Sequence, residues 1–395
     1  MELELEFKQG IYHLNPDPNF NFQLNRVILW NGGDLNDVMQ AAKRITDSTS
    51  WKQEMIYLGD NALSQNRIPQ AIAYYQMSEF FDGNPSNKEY YIKATELFYE
   101  YYHYYFDEGR VQKIQVPYED VMLPIIVAKT QKQCKGTILL HGGNDSCFEE
   151  MFLPMLYLSE HGYDVYLFEG PGQGNVLRVQ GKHFTYAWER PVKAILDFFH
   201  LNDVIIIGVS LGAMLALRAA ALDKRITRAV SWSVFPDFLD VVLDQIPKKV
   251  AGIVRFMLKH NLRIVLSPIL CMMKLIRKND PLFQWGVNHG MYAYGADSIY
   301  DYLKKVSKYQ IMDVASMIEQ DVLILGANQD HLVDYRMIGK EINALTNANS
   351  LTFRLFTEKE NAGNHCNLGN AKLALDVILQ WLTFLKQRDL EVRKN

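Results

Sequence analysis

Val204-Ile205-Ile206-Ile207-Gly208-Val209-Ser210-Leu211-Gly212-Ala213 reads as an apolar strand that stops at a serine between glycines and continues as a helix of small residues. The order G-x-S-x-G is common by chance, but at a strand-to-helix turn it has a physical reason. A serine on so sharp a turn adopts strained backbone angles, and its flanks must lack side chains for strand and helix to approach. Its hydroxyl then stands above the sheet at a helix N-terminus, where amide N–H groups and the helix dipole favour developing negative charge. Outward from the turn, short apolar runs at 137–140, 164–168, 229–234, 322–325 and 351–356 read as strands. Helical periodicity near 149–161, 188–200, 337–344 and 371–386 separates or follows them. Continuous apolar strands divided by amphipathic helices predict an α/β architecture, a mostly parallel sheet covered on both faces. Upstream, residues 111–128 alternate with period two about Tyr118-Glu119-Asp120, the pattern of an antiparallel hairpin.

A serine hydroxyl needs a base to take its proton, and the base needs an acid to orient it. On such a sheet the order along the chain is serine, acid, histidine, with the acid past a later strand and the histidine past the last one. Asp330 follows the strand at 322–325 and is the candidate acid, with Asp334 the alternative. His365 is the only histidine between the final predicted strand and the last helix, which makes it the candidate base. His331 points elsewhere if Asp330 faces the site. An oxyanion needs backbone donors: Leu211 after the serine, and Gly143 or Asn144 in the loop Leu140-His141-Gly142-Gly143-Asn144-Asp145. His141 is expected to be structural, beneath the site. Gly170-Pro171-Gly172-Gln173-Gly174 lacks the Lys-Ser/Thr pair of a phosphate loop and reads as a tight turn. Cys147 and Cys366 read as buried spectators. No ligand spacing supports a metal, and no cofactor is expected.

Helical spacing dominates two further regions. Residues 20–106 contain helices at 36–44, opened by Asp34 or Asn36, at 69–81, opened by Pro69, and at 88–106, with Gly83-Asn84-Pro85 as a break. The tyrosines from Tyr74 to Tyr105 are read as core packing in preference to an aromatic pocket, and they offer a surface for a homodimer. Residues 235–316 read as helices with no strand. Their Met257, Met272, Met273, Phe283, Trp285, Met291, Tyr292 and Tyr294 would supply an apolar pocket for a small-molecule or short-peptide substrate. The expected organisation is a helical segment at 1–107, core at 108–234, a helical cap insertion at 235–316 and core again at 317–395. Across 395 residues, 48% apolar and 22% charged, wholesale disorder is excluded. A net charge of −4 argues against nucleic acid or an anionic membrane bound through bulk charge. The most apolar stretch, Ile264 to Ile276, is broken by Ser267, Pro268 and Lys274 and is too short to span a bilayer. The acidic start, Met1-Glu2-Leu3-Glu4, is not that of a secretory signal. The expectation is a cytoplasmic protein with neither nucleic acid nor membrane as a partner.

These residues carry a resemblance. The chain resembles the α/β-hydrolases grouped around bacterial pseudooxynicotine hydrolase, the fermentation–respiration switch protein and fungal hydrolases that shorten polyketide precursors. In the helical segment the likeness lies in Asn21-Phe-Gln-Leu-Asn25, Gly32-Gly33-Asp34, Ala41-Ala-Lys-Arg-Ile45, Ser50-Trp51 and Phe80-Phe-Asp-Gly-Asn-Pro85. In the core it lies in His141-Gly-Gly-Asn-Asp145, Glu149-Glu150, Glu169-Gly-Pro-Gly-Gln-Gly174, Gly208 to Gly212 and Asp330. The resemblance implies a triad of Ser210, Asp330 and His365 under a cap made by the N-terminal helices and the insertion. It implies a hydrolase of esters or of a carbon–carbon bond beside a ketone, with Asp145 as an accessory residue. The core is also similar to that of prolyl-oligopeptidase-type and acylaminoacyl peptidases, which implies a serine peptidase as an alternative, although helices stand where those enzymes carry a propeller. The other class to weigh is a non-catalytic regulatory protein on the same fold.

Overall fold

Eight strands make one sheet: β1 (Val111–Tyr118), β2 (Val121–Ala128), β3 (Gly136–His141), β4 (Tyr163–Phe168), β5 (Val204–Val209), β6 (Ile226–Trp232), β7 (Asp321–Ala327) and β8 (Ser350–Phe356). They lie in the order β1-β2-β4-β3-β5-β6-β7-β8. β1 and β2 form the expected hairpin, β2 is also antiparallel to β4, and β3 to β8 run parallel. The computed structural model describes residues 5–82 and 87–392, so the break expected at Gly83-Asn84-Pro85 lies outside the described residues.

The apolar strands look uninterrupted in sequence because both faces of the sheet are covered. Successive side chains alternate between two cores, Leu139, Ile206 and Ile324 on one face against Leu140, Ile207 and Leu323 on the other. A third core belongs to the N-terminal helices and is built from Phe20, Leu24, Val27, Trp51, Tyr74 and Tyr75. Helix Pro18–Leu29 starts where the Asp17 carboxylate accepts the N–H groups of Asn19 and Phe20, and Asp34 caps helix Leu35–Ala42 in the same way. Tyr74 OH donates to Asp37 at 2.9 Å and Trp51 Nε1 donates to the Met77 carbonyl at 2.8 Å, so these rings pack and pair inside the helical segment. The helix expected at 88–106 is two, Glu89–Tyr101 and His103–Asp107, divided at Tyr102 where ψ turns to 14°.

Between β6 and β7 the chain forms helices Phe238–Asp244, Lys248–Lys259, Arg263–Ile276, Pro281–Ala293 and Ile299–Val306. No helix among the described residues is long and apolar enough to cross a membrane. Glu341, in helix Ile338–Ala344, is fully buried, and burial pushes its carboxyl up to about 8 against an accepted Phe235 N–H. The folded state therefore holds a proton that the unfolded chain releases above pH 4.5, so stability falls as pH rises from there through about 8. Glu341→Gln is expected to raise Tm at pH 8 and leave it nearly unchanged at pH 5; thermal unfolding at both values checks this.

Candidate active site

Ser210 sits between β5 and helix Leu211–Leu222 with φ 61° and ψ −125°, a conformation that L residues avoid. The flanking glycines are required by contact. A Cβ on Gly208 would lie 1.9 Å from the Gly212 carbonyl oxygen, and one on Gly212 would lie 2.4 Å from that of Gly142. The motif in the sequence is thus a record of strand, helix and neighbouring loop packed at backbone distance.

The structure brings Ser210, Asp330 and His365 together from three stretches of chain. His365 Nε2 lies 2.8 Å from Ser210 Oγ, and His365 Nδ1 lies 2.7 Å from Asp330 Oδ2. Both loops are held. Asp330 Oδ1 accepts the N–H groups of Leu332 and Val333, each at 2.9 Å, which aims its other oxygen at the ring. Asn367 accepts from Trp232 Nε1 at 2.9 Å, and the Gln329 N–H donates to the Gly363 carbonyl at 2.7 Å, tying acid loop to histidine loop. Burial works against a charged His365, but the Asp330 carboxylate outweighs it and the imidazole is pushed well above 6.5. Asp334 instead pairs with Arg336 and caps the turn Tyr335–Met337. His331 packs its ring against Phe22 at 4.9 Å, away from the chain of three.

The donors for an oxyanion are sorted by their other partners. The Gly143 N–H donates to Ser146 Oγ at 3.0 Å and is therefore occupied. Neither Leu211 N–H nor Asn144 N–H donates to protein among the described residues. Asn144 is fixed by the insertion: His289 Nε2 donates to its carbonyl and Tyr294 OH to its side-chain oxygen, each at 2.9 Å. The turn after β4 supports the same loop, because Gln173 Nε2 donates to the carbonyls of Gly142 and Gly143 at 2.8 and 3.0 Å. Gln173→Ala is expected to lower kcat by up to about 10²-fold with KM little changed, since it displaces a loop and removes no reacting group. Steady-state kinetics on an activated ester measure it. His141 is buried with its ring against Phe168 and Trp188, its pKa pushed down to about 4 by burial, as a structural residue would be.

A family model described as the alpha/beta hydrolase fold matches residues 137–368. The chain belongs to the alpha/beta hydrolase family. Among its relatives it is 27% identical to the hydrolyase poxO of Penicillium oxalicum, over 78% of this chain and 83% of that one. It is 25% identical to the 20-hydroxy-prefusarin hydrolase FUS2 of Gibberella moniliformis, over 94% of this chain and 98% of that one. The solved structure of a 2,6-dihydroxy-pseudo-oxynicotine hydrolase superposes with a TM-score of 0.63 at 17% identity, covering 91% of this chain and 94% of that one, which shows a shared fold.

In this alpha/beta hydrolase the space above Ser210 is walled by two helical parts. The pocket together with the open solvent in front of it spans about 1350 Å3. The insertion supplies most of the apolar wall, including Met273, Phe283 and Trp285, while Met257, Met291 and Tyr292 pack behind it and Met272 faces solvent, 55% exposed. None of the tyrosines from Tyr74 to Tyr105 lines it. The other wall is helix Pro18–Leu29, whose Asn19, Phe22, Gln23 and Arg26 fall on one face and enter the pocket; these four were not among the predicted site residues. The Asn19 carboxamide is buried with neither polar atom partnered, as is Trp285 Nε1. Asp145 lines the same pocket but is held by Arg26 at 2.7 Å; burial alone would raise its pKa, and the guanidinium brings it below the usual range. A signal for this wall existed: polar residues at i, i+4 and i+7 on a helix whose other side is apolar. Cys147, Glu149 and Glu169 are the one group of metal-ligating types among the described residues, within 4.8 Å of one another. Burial raises both carboxyls, with Glu149 adding to it at Glu169, and Glu169 already accepts the N–H groups of Phe148 and Asn175, so the cluster fits a retained proton better than a cation.

Proposed function

We propose that this alpha/beta hydrolase is a serine hydrolase acting on a mostly apolar carbonyl substrate: an ester, an amide or a carbon–carbon bond activated by a ketone. The observation that carries the reading is His365 bridging Ser210 and Asp330 at 2.8 and 2.7 Å. His365 Nε2 takes the Ser210 proton as Oγ attacks the carbonyl carbon, and Asp330 stabilises the imidazolium. The tetrahedral oxyanion is held by the N–H groups of Leu211 and Asn144. His365 returns the proton to the leaving group, and water, activated by the same imidazole, releases the acyl group from Ser210. The apolar lining with a few polar side chains suits a medium-sized ligand. The compound for which the relative FUS2 is named, 20-hydroxy-prefusarin, is one to try among p-nitrophenyl esters, aminoacyl anilides and a β-diketone.

A fluorophosphonate probe is expected to label the native protein and to spare Ser210→Ala; a native protein that resists labelling would favour a binding protein on this fold. The base works only when neutral, so the rising limb of kcat/KM against pH is expected to have its midpoint above 6.5. Asp330→Asn removes the anion that favours the imidazolium and should move that midpoint down. A limb that stays in place in Asp330→Asn would sever the link between acid and base.

A further inference from the structure

Helix Arg263–Ile276 is apolar on two opposite sides. Leu266, Leu270 and Met273 turn inward, and the last two line the pocket. The other side presents Ile264, Val265, Pro268, Met272, Leu275 and Ile276 at helical spacing to solvent, with Ile264 90% exposed and Leu275 and Ile276 each 72%. The preceding helix, Lys248–Lys259, adds Ile253 and Phe256, 53% and 58% exposed. Single exposed apolar residues are ordinary, but a contiguous apolar stripe marks a surface that something covers.

Charge selects the occupant. Between Gln245 and Asn279 the sequence has eight Lys and Arg and no Asp or Glu, in a chain of net charge −4. Lys248, Lys249, Lys259, Arg263 and Lys278 are exposed and form no ion pair among the described residues. They stand at the helix ends, bracketing the apolar stripe. A second copy of the chain would set this basic rim against itself, whereas an anionic surface meets it with opposite charge. With 14 residues the second helix is about 21 Å long, too short for the roughly 30 Å of a hydrocarbon core. It has the form of a helix that lies flat in the headgroup region, apolar side down, with cations on the anionic lipids.

We propose that helices Lys248–Lys259 and Arg263–Ile276 dock this protein on the surface of a bilayer containing anionic lipid. The expectation of no membrane partner came from bulk charge, which averages this basic segment away against an acidic remainder. Val254, Leu270 and Met273 of the same helices line the pocket, so docking leaves one helical layer between lipid and pocket. On the hydrolase reading above, apolar substrates then reach Ser210 from the bilayer.

The test is flotation of the full chain with vesicles of phosphatidylcholine alone or with about 30% phosphatidylserine, at about 0.1 and about 0.5 M NaCl. The expected result is at least about tenfold more protein on the anionic vesicles at low salt, with the excess lost at high salt. Leu275→Glu/Ile276→Glu is expected to reduce binding about tenfold or more, and Lys248→Glu/Lys249→Glu/Lys278→Glu to abolish the preference for anionic lipid. All five positions are on the surface, and unfolding curves matching the native protein establish that the variants fold. Equal recovery on both vesicle types, or undiminished binding of Leu275→Glu/Ile276→Glu, overturns the proposal. So does a native dimer in light scattering that this variant makes monomeric, because the face then belongs to a second copy. Fluorophosphonate labelling of the same samples reports on Ser210 alone, so loss of the hydrolase reading and loss of lipid docking are distinguishable.

Discussion

Ser210→Ala is expected to lower kcat by about 10⁴- to 10⁶-fold on any substrate the enzyme turns over, with binding of that substrate nearly intact. In the proposed mechanism the hydroxyl is the one group of the hydrogen-bonded chain that forms a bond to carbon, and no neighbour substitutes for it. Cys147 is buried, and burial together with nearby carboxylates raises its thiol pKa well above the usual range, so it supplies no thiolate. His365→Ala is expected to cost about as much as Ser210→Ala, and the double variant little more than either, because the two act as one unit. Asp330→Asn should lose about 10⁴-fold, since an amide in that place favours the wrong imidazole tautomer. Residual activity above the uncatalysed rate would come from the donors at Leu211 and Asn144. Single-turnover measurements with an activated ester separate these losses from changes in binding. A Ser210→Ala protein retaining a tenth of native kcat would rule out acyl transfer through this residue.

Arg26→Ala is expected to be the most damaging substitution for stability in the N-terminal helices, by about 3–5 kcal/mol. The guanidinium is 12% exposed and bonds Glu150 through two nitrogens, at 3.1 and 2.7 Å, and Asp145 at 2.7 Å. The Glu150 side chain is 2% exposed, so deleting the cation strands a carboxylate that water cannot reach. Arg26→Ala/Glu150→Ala should recover part of the loss, since the buried charge goes with its partner. Urea unfolding of the four proteins gives the coupling. Activity should fall in Arg26→Ala as well, because this ion cluster is where helix Pro18–Leu29 meets the loop after β3. Equal stability of the native protein and Arg26→Ala would mean that the carboxylates find water or a proton instead.

Much of this was legible in the sequence because the signals were local. The turn at Ser210 needs glycines at two fixed positions, and β5 and β7 needed only their continuous apolar runs to be read as covered on both faces. Asp330 and His365 followed from chain order, each placed past a strand that could be located. What escaped was mostly contact between distant elements. One miss was local: Ser146, three residues on, takes the Gly143 N–H and leaves Asn144. Gln173 looked like part of a tight turn because its partners lie 30 residues away in another loop. Arg26, Asn19 and Gln23 drew no site reading, because only tertiary packing turns their face of the helix inward. The insertion was misjudged in the opposite sense, since an apolar run such as 264–276 gives no hint that half of it faces outward.

Asn144 owes its position to His289 and Tyr294, side chains that arrive from the roof of the pocket and not from the sheet. Grafting a foreign roof onto this scaffold to change what it accepts would therefore unsettle the amide proposed to hold the oxyanion. Chimeras that keep those two anchors should exchange selectivity and retain turnover. Those that discard them should bind new compounds and barely convert them.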